Sequence, residues 1–285
     1  MMRSVIKFCV IFFGLLVVNI AYSQVATVSG NLNFSPEPFI QKEIDRVRYQ
    51  VFYELKFLLN ADQPSSFREA VTILQIGDNF VKFADANTYK SDSLRNEFQY
   101  LKSIRTKEFN QLLALRPKFP YTIYSNPKEN VYTLNNRLSH AYTYTAPIPK
   151  LEWNISSTTK KIGDYLAVKA TTRYSGRNYE AWFTQEIPFS YGPYLFQGLP
   201  GLILEIRDTA NHYAFTLFKI EKSDTAMTKG SGKEVLEVTR EKYKKLERVY
   251  HENPGQFIKG MAYDAGGNPI NLRNKPRPYN PIELE

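Results

Sequence analysis

The sequence predicts a mainly β protein: an antiparallel, strongly bent sheet or incomplete β-barrel of about ten strands, with two helical segments packed on it. Apolar and polar residues alternate with a period of two along several runs, the longest of which covers residues 48–59. Glycine, proline, asparagine and aspartate separate these runs, as turns do between strands. Helical apolar spacing marks residues 91–115 and 239–252. Such a pattern is typical of an antiparallel meander with few helices.

The first 23 residues predict a secretion signal peptide. Arg3 and Lys7 give this segment a positive start, and the apolar run 8–20 is too short to span a membrane. Ala21-Tyr22-Ser23 fits a small-x-small cleavage site. We therefore expect an exported protein of the periplasm or the outer-membrane periphery, without a lipid anchor.

The remaining residues, 24–285, predict a single β-rich domain, because no Gly/Ser-rich or Pro-rich linker divides them. Cys9, the single cysteine, lies in the signal peptide, so the exported chain has neither disulfides nor thiolate ligands. Without Arg3 and Lys7, the 37 basic residues become 35 against 28 acidic ones, a net charge of +7. This charge favours anionic partners or peripheral contact with membrane headgroups over nucleic acid, or it serves solubility alone.

Several strands are predicted between residues 48 and 157. Residues 48–59 form a long half-buried strand, and residues 70–76 and 80–83 form a hairpin with a Gly-Asp-Asn turn. Between residues 121 and 157, short stretches rich in tyrosine, threonine, valine and isoleucine recur at regular spacing. These stretches predict further strands of the meander.

Two helical segments and an extended end complete the prediction. Ser91 or Asp92 can cap the segment 91–115, and two prolines follow it. The second helix begins near residue 239 and ends before a proline. From about residue 262 the chain is rich in glycine, proline and asparagine, which predicts an extended strap.

Residues 164–174 and 177–187 predict the best-defined pair of strands. If Ser175-Gly176 is a two-residue loop, Tyr174 faces Arg177 and the remaining pairs follow. The face expected on the core pairs Leu166, Val168, Ala170 and Thr172 with Gln185, Phe183, Ala181 and Tyr179. The opposite, polar face of this hairpin is a candidate for function.

On that polar face, Lys169 is expected opposite Trp182, where an ammonium group over an exposed indole ring gains about 0.5–1 kcal/mol. The loop 187–199 follows, with an unusual aromatic load in Phe189, Tyr191, Tyr194 and Phe196. If the loop folds back against Trp182, it either plugs an open sheet or lines the mouth of an apolar groove. The ligand-binding candidates are therefore Lys169, Arg177, Trp182, Phe189, Tyr191, Tyr194 and Phe196.

The loop ends in a predicted structural turn that contains Gly198, Pro200 and Gly201. Pro200 presets φ near −65° and Gly201 accepts positive φ, which suits a type II β-turn. With Gly176-Arg177, Ala181 to Thr184, Gly192-Pro193 and the ending Tyr279 to Leu284, the run Gly198 to Ile203 resembles the signature of the GLPGLI family, exported proteins of Gram-negative bacteria. The resemblance implies export and no particular activity, since none is established for that family.

No motif for a nucleotide, a hydrolytic serine or a metal is present in the sequence. The histidines, His140, His212 and His251, lack partners at ligand spacing, and no Gly-x-Ser-x-Gly or phosphate-binding glycine loop occurs. We therefore predict no cofactor. Carboxylates on the polar strands, Glu180, Glu186 and Glu205, could act as an acid/base pair only if their environments drive their pKa values apart.

The leading hypothesis is a non-enzymatic cell-envelope protein that binds an apolar or amphipathic ligand, or an outer-membrane partner, through the concave sheet and the aromatic loop. One alternative is a hydrolase or lyase in which those carboxylates act on an anionic envelope substrate held by Arg177 or Lys169. The other alternative is an accessory subunit of an outer-membrane transporter.

Overall fold

The computed structural model describes residues 27–232, 234–257, 262–263, 269–270 and 275–285. The predicted signal peptide, residues 1–23, and much of the strap predicted from about residue 262 lie outside the described residues. Within the described ranges, no helix has the length and apolar character needed to cross a membrane.

Strands are the main regular element of the described chain. They are β1 (Asn33–Phe34), β2 (Phe39–Leu58), β3 (Phe67–Gly77), β4 (Val81–Asp85), β5 (Ile104–Arg105), β6 (Thr122–Asn126), β7 (Val131–Arg137), β8 (Ala141–Pro147), β9 (Asn154–Ile162), β10 (Tyr165–Tyr174), β11 (Arg177–Thr184), β12 (Leu202–Asp208), β13 (Tyr213–Lys222), β14 (Ala226–Gly232), β15 (Val235–Glu237), β16 (Ala262–Tyr263) and β17 (Pro269–Ile270). The helices are α1 (Ala86–Phe98), α2 (Thr106–Ala114) and α3 (Arg240–Glu252), and a short 3-10 helix covers Pro254–Phe257.

In the described part of the chain, 13 strands form one sheet in the order β15-β8-β7-β6-β4-β3-β2-β13-β12-β11-β10-β9, with β14 also paired to β2. Neighbouring strands are antiparallel except for β15, which runs parallel to β8. The sheet does not close into a barrel, because β15 and β9 remain its two end strands. The predicted fold class, a bent antiparallel sheet with helices, is therefore confirmed.

The long strand β2 has 20 residues and is longer than the sequence predicted. Its second half pairs with β13, and its first half, from Phe39 to Arg46, pairs with β14. Residues 40–46 are polar or exposed for the most part, so they lack the alternation that marked residues 48–59. The start of the strand is set by pairing with β14, about 180 residues further along the chain.

The first helical segment is two helices. Asp85 caps α1, since its carboxylate accepts a hydrogen bond from the Asn87 N–H, and neither Ser91 nor Asp92 is the cap. The strand β5, paired with β1, separates α1 from α2. The second helix is confirmed: α3 begins after Thr239, whose hydroxyl accepts from the Lys242 N–H.

The register of the β10–β11 hairpin is confirmed from Tyr174–Arg177 to Val168–Phe183. Ser175 and Gly176 have φ of 43° and 80°, the positive values that a type I′ loop requires. The prediction that Leu166 faces the core was wrong, because this residue is 58% exposed. Here β10 is irregular against β9 between Val168 and Ala170, and this irregularity interrupts the alternation.

Candidate functional site

The aromatic loop contributes two of its rings to the core. Tyr194 and Phe196 are buried. The Phe196 ring lies 4.6 Å from that of Tyr179 and 5.8 Å from that of Tyr174, between ring centroids. Because these tyrosines lie on the inner face of the β10–β11 hairpin, the loop plugs the inner side of the sheet. Of the two alternatives that the sequence left open, this is the structural one, but the loop packs on the face opposite Trp182 and does not fold back against that ring.

The other two rings of the loop are half-buried. The Phe189 ring packs against that of Tyr49 of β2, with ring centroids 4.7 Å apart and the planes tilted by 58°, and Tyr191 forms a backbone bridge with Gln197. The carbonyl of Gln197 also accepts a hydrogen bond from the Trp153 indole N–H at 2.9 Å. The Phe189 contact fastens the start of the loop to β2, and the Trp153 hydrogen bond fastens its end to the segment before β9.

The segment that contains Gly198, Pro200 and Gly201 is a bend rather than the predicted type II β-turn. The Leu202 N–H, which such a turn would direct to Leu199, instead donates to the Ile187 carbonyl at 3.0 Å. Glycine is nevertheless required at position 201, where φ is 155°. A Cβ there would lie 2.7 Å from the Thr184 carbonyl carbon and closer still to its oxygen.

Trp182 lies on the outer face of β11, away from Tyr194 and Phe196. Lys160 and Lys169 approach its ring to 4.4 Å and 6.0 Å from the centroid. Both ammonium groups are also ion-paired, Lys169 with Glu180 at 2.6 Å and Lys160 with a carboxylate of β12. The predicted ligand-binding residues are therefore divided between two faces of the sheet.

The three carboxylates considered for acid/base chemistry do not converge. Glu180 and Glu205 each pair with a lysine on the outer face, and Glu186 accepts a hydrogen bond from the Leu166 N–H. The hydrogen bond from Lys169 lowers the pKa of Glu180 below its usual value. Glu180 is therefore a solvated, ionised member of a charge ladder.

Arg177 is buried rather than exposed. Its guanidinium pairs with Asp208 at 3.1 Å, and both side chains are less than 5% exposed. It also donates at 2.7 Å to the Asn280 side chain and to the Pro281 carbonyl. The Arg177 of the hairpin thus docks the C-terminal segment, residues 275–285, and joins two parts of the chain that share the GLPGLI resemblance.

Glu283 of the C-terminal segment is the centre of a buried polar cluster that the sequence did not reveal. Its carboxylate accepts hydrogen bonds from the hydroxyls of Tyr174 at 2.5 Å and Tyr194 at 2.9 Å. Arg240 and Lys244 of α3 lie 2.6 Å and 3.1 Å away. Burial opposes ionisation, but the Tyr174 hydrogen bond and the two cations hold the pKa of Glu283 below its usual value.

Glu247 of α3 is a second buried carboxylate near this cluster. It accepts hydrogen bonds from the hydroxyls of Tyr121 at 2.8 Å and Tyr243 at 2.9 Å. Among the described residues it has no ion pair within 4 Å, and burial raises its pKa above the usual value. Two glutamates with similar tyrosine contacts thus have pKa values shifted in opposite directions.

A surface pocket lies beside Glu283, in the gap between the two ends of the bent sheet. Seven strands separate β7 from β10 in the sheet order, yet Tyr132 of β7 and Tyr174 of β10 both line this pocket. Its volume is about 520 Å3. We call it the gap pocket; its lining includes Tyr132, Ala146, Pro147, Tyr174, Val238 and Arg240. The residues come from three distant stretches of sequence, and no motif links them.

No cluster of three or more His, Cys, Asp or Glu side chains in the described ranges is arranged to hold a metal ion.

The fold and the pocket define an open, bent antiparallel-sheet protein whose gap is occupied by α3 and the C-terminal segment. Residues 174–205 match the model of a family described as "Protein of unknown function (Porph_ging)". This match to a GLPGLI-type family of Bacteroidetes proteins begins at the last residue of β10 and covers β11, the aromatic loop and the start of β12.

A comparison with curated proteins finds no significant match. Two solved structures of PNGF-II, in space groups P21 and C2, have 15% and 16% sequence identity to this chain and TM-scores of 0.46 and 0.48. These similarities cover 70% and 76% of this chain. They span about a third of the PNGF-II chains, 33% and 36%.

Proposed function

We propose that the protein is an exported, non-enzymatic binding protein that takes a small amphipathic ligand in the gap pocket. The observation that carries the proposal is an open surface pocket of about 520 Å3 whose lining mixes apolar and aromatic side chains with threonines, one guanidinium group and the carboxylates of Glu237 and Glu241. Volumes between roughly 300 and 1,000 Å3 are those of small-molecule sites. This site is not the aromatic loop that the sequence predicted, because Tyr194 and Phe196 are buried in the core.

The lining suits a ligand with one apolar and one polar end. Ala146, Pro147 and Val238 supply apolar contact, and Arg240 supplies charge-assisted donors. The Arg240 side chain is 29% exposed although it pairs with Glu283. A guanidinium has five N–H donors, so a ligand can be bound without breaking the ion pair.

Export and family membership belong to the same proposal. The signal-peptide pattern of residues 1–23 and the net charge of +7 after its removal support a location in the cell envelope. The match over residues 174–205 supports membership of the GLPGLI-type family. The contact between Arg177 and the C-terminal segment gives the two separated parts of the resemblance a common structural role.

Binding of anilinonaphthalene sulfonate (ANS), an amphipathic anion, tests the proposal. Fluorescence titration is expected to show saturable binding at one site of the wild-type protein. Val238→Trp fills the pocket and is expected to weaken ANS binding by about tenfold or more. Val235→Trp is the matched control, because Val235 is 38% exposed and does not line the pocket. Equal ANS affinity in both variants, with unchanged thermal unfolding, would contradict the assignment.

A further inference from the structure

We infer that the ligand of the gap pocket is a short peptide with a free carboxyl terminus, bound in extended form along the edge of β8. This inference rests on the proposed function and names the class of ligand. It follows from the backbone of β8, the charges at the pocket and the length of the exposed edge.

The edge of β8 points into the gap pocket. One side of β8 pairs with β7 over its whole length, and the other side pairs with β15 only from Ala141 to Thr143. The Val238 N–H closes that ladder by donating to the Thr143 carbonyl at 3.0 Å. Backbone groups of alternate residues point to the same edge of a strand. The N–H and C=O of Thr145 therefore point to the same edge as those of Thr143, beside the pocket that Thr145 lines.

These Thr145 groups are suited to an added strand. Within the described ranges, no hydrogen bond engages the Thr145 N–H or carbonyl. An extended chain that takes up such an edge gains main-chain hydrogen bonds, and pockets beside it receive alternate side chains. The free edge, from Thr145 to Pro147, measures about 7 Å at the usual rise of a strand, which accommodates roughly two residues of a bound peptide. Pro147 contributes only its carbonyl to this edge, because proline has no backbone N–H.

Charges around the pocket match the two ends of a short peptide. Arg240 can donate two hydrogen bonds to a carboxylate, the contact geometry that a guanidinium favours. Glu237 and Glu241 also line the pocket and are exposed, so they can receive an ammonium group. Ala146 and Val238 offer small apolar surfaces to the side chains between those ends. A free peptide carries an anionic end, a cationic end and backbone amides together.

Calorimetric titration with trialanine tests the inference. Trialanine is expected to bind the wild-type protein, and its carboxyl-terminal amide is expected to bind about tenfold more weakly or worse, because it lacks the charge that Arg240 recognises. Thr145→Pro removes the edge N–H at a position where the backbone nitrogen points away from β7, so the sheet can accommodate it. This variant is also expected to lose at least about tenfold in trialanine affinity, whereas Val235→Trp is expected to bind normally.

Three results would overturn the inference: no binding of trialanine, equal binding of the acid and the amide, or undiminished binding to folded Thr145→Pro. If Thr145→Pro does not fold, the affinities of trialanine and its amide for the wild-type protein decide whether the inference holds. ANS separates the two proposals. Val238-dependent ANS binding without trialanine binding overturns the peptide and leaves the pocket in place, whereas failure of both probes removes both.

Discussion

At the scale of single residues, the two buried glutamates show how partners decide the cost of a buried charge. Glu283 has two cations within 3.1 Å and two tyrosine hydroxyls. Glu247 has tyrosine hydroxyls of similar length but no ion pair in the described ranges. A carboxylate taken from water without a counter-ion is penalised, and the pKa values shift in opposite directions for that reason.

The same substitution is expected to act in opposite directions at the two sites. Because the folded-state pKa of Glu247 is raised, ionisation destabilises the fold above the unfolded value near 4.5. Glu247→Gln should therefore raise the free energy of unfolding at pH 7, by on the order of 1 kcal/mol. The pKa of Glu283 is lowered, so its stabilisation is present above 4.5 and is lost as pH falls through the folded value. Glu283→Gln should cost about 3 kcal/mol at pH 7, the lower end for a buried ion pair, because Arg240 and Lys244 are partly exposed.

Urea unfolding of both variants at pH 7 and at pH 3 measures these differences. The gain from Glu247→Gln is expected to disappear at pH 3, where the wild-type carboxyl is protonated, and the loss from Glu283→Gln is expected to shrink. Shifts of the same sign at pH 7 would contradict the account of the cluster.

At the scale of elements, the bend before β12 depends on close backbone approach. Gly201 and Gly163 both have positive φ, 155° and 56°, but their surroundings differ. A Cβ at Gly163 meets nothing within 4 Å, whereas one at Gly201 collides with the Thr184 carbonyl. The absence of a side chain at Gly201 therefore allows the backbone of the bend to lie against Thr184, at the end of β11.

Alanine at each glycine compares a position that has only the strain of positive φ with one that adds a collision. Gly163→Ala is expected to cost about 1 kcal/mol through its positive φ alone. Gly201→Ala is expected to cost about 3 kcal/mol or more, because backbone atoms must move as well. Thermal unfolding of the two variants checks the difference, and equal costs would show that the contact with Thr184 relaxes freely.

At the scale of the whole molecule, the C-terminal segment ties the gap of the sheet together. Arg177 holds Asn280 and Pro281, and the Leu284 N–H donates to the Ser175 carbonyl at 2.9 Å. Glu283 adds the hydroxyls of the hairpin and loop and the cations of α3. The C-terminal segment, residues 275–285, thus bridges the open side of the bent sheet.

Removal of the buried Arg177 charge tests this bridge. Arg177→Met leaves Asp208 buried without its cation and is expected to cost about 3 kcal/mol or more. The Leu284 amide should lose hydrogen-exchange protection in this variant. Arg173→Met is the control, since Arg173 is exposed and pairs with the exposed Glu285, so its cost should stay below about 1 kcal/mol. Equal effects of the two substitutions would count against the docking role of Arg177.

The parts of the structure that were predicted depend on neighbours in sequence. A two-residue loop sets the register of β10 and β11, so their cross-strand pairs from Tyr174–Arg177 to Val168–Phe183 were predicted one by one. A cap and a 3.6-residue period likewise located α3. The type II turn was wrong because its Leu202 N–H is taken by Ile187.

By itself, the sequence determined the fold class, the register of the β10–β11 hairpin, α3 and the apolar faces of β2, β11 and β12, because alternation and turn residues act over a few positions. Tertiary structure alone decided that Tyr194 and Phe196 fill the core, that Arg177 is buried, and that Glu283 meets Tyr174 across 109 residues. The gap pocket belongs to this second group. Its walls meet only when the sheet bends far enough to bring β7 and β10 together, and that curvature is a property of the packed sheet rather than of any one strand.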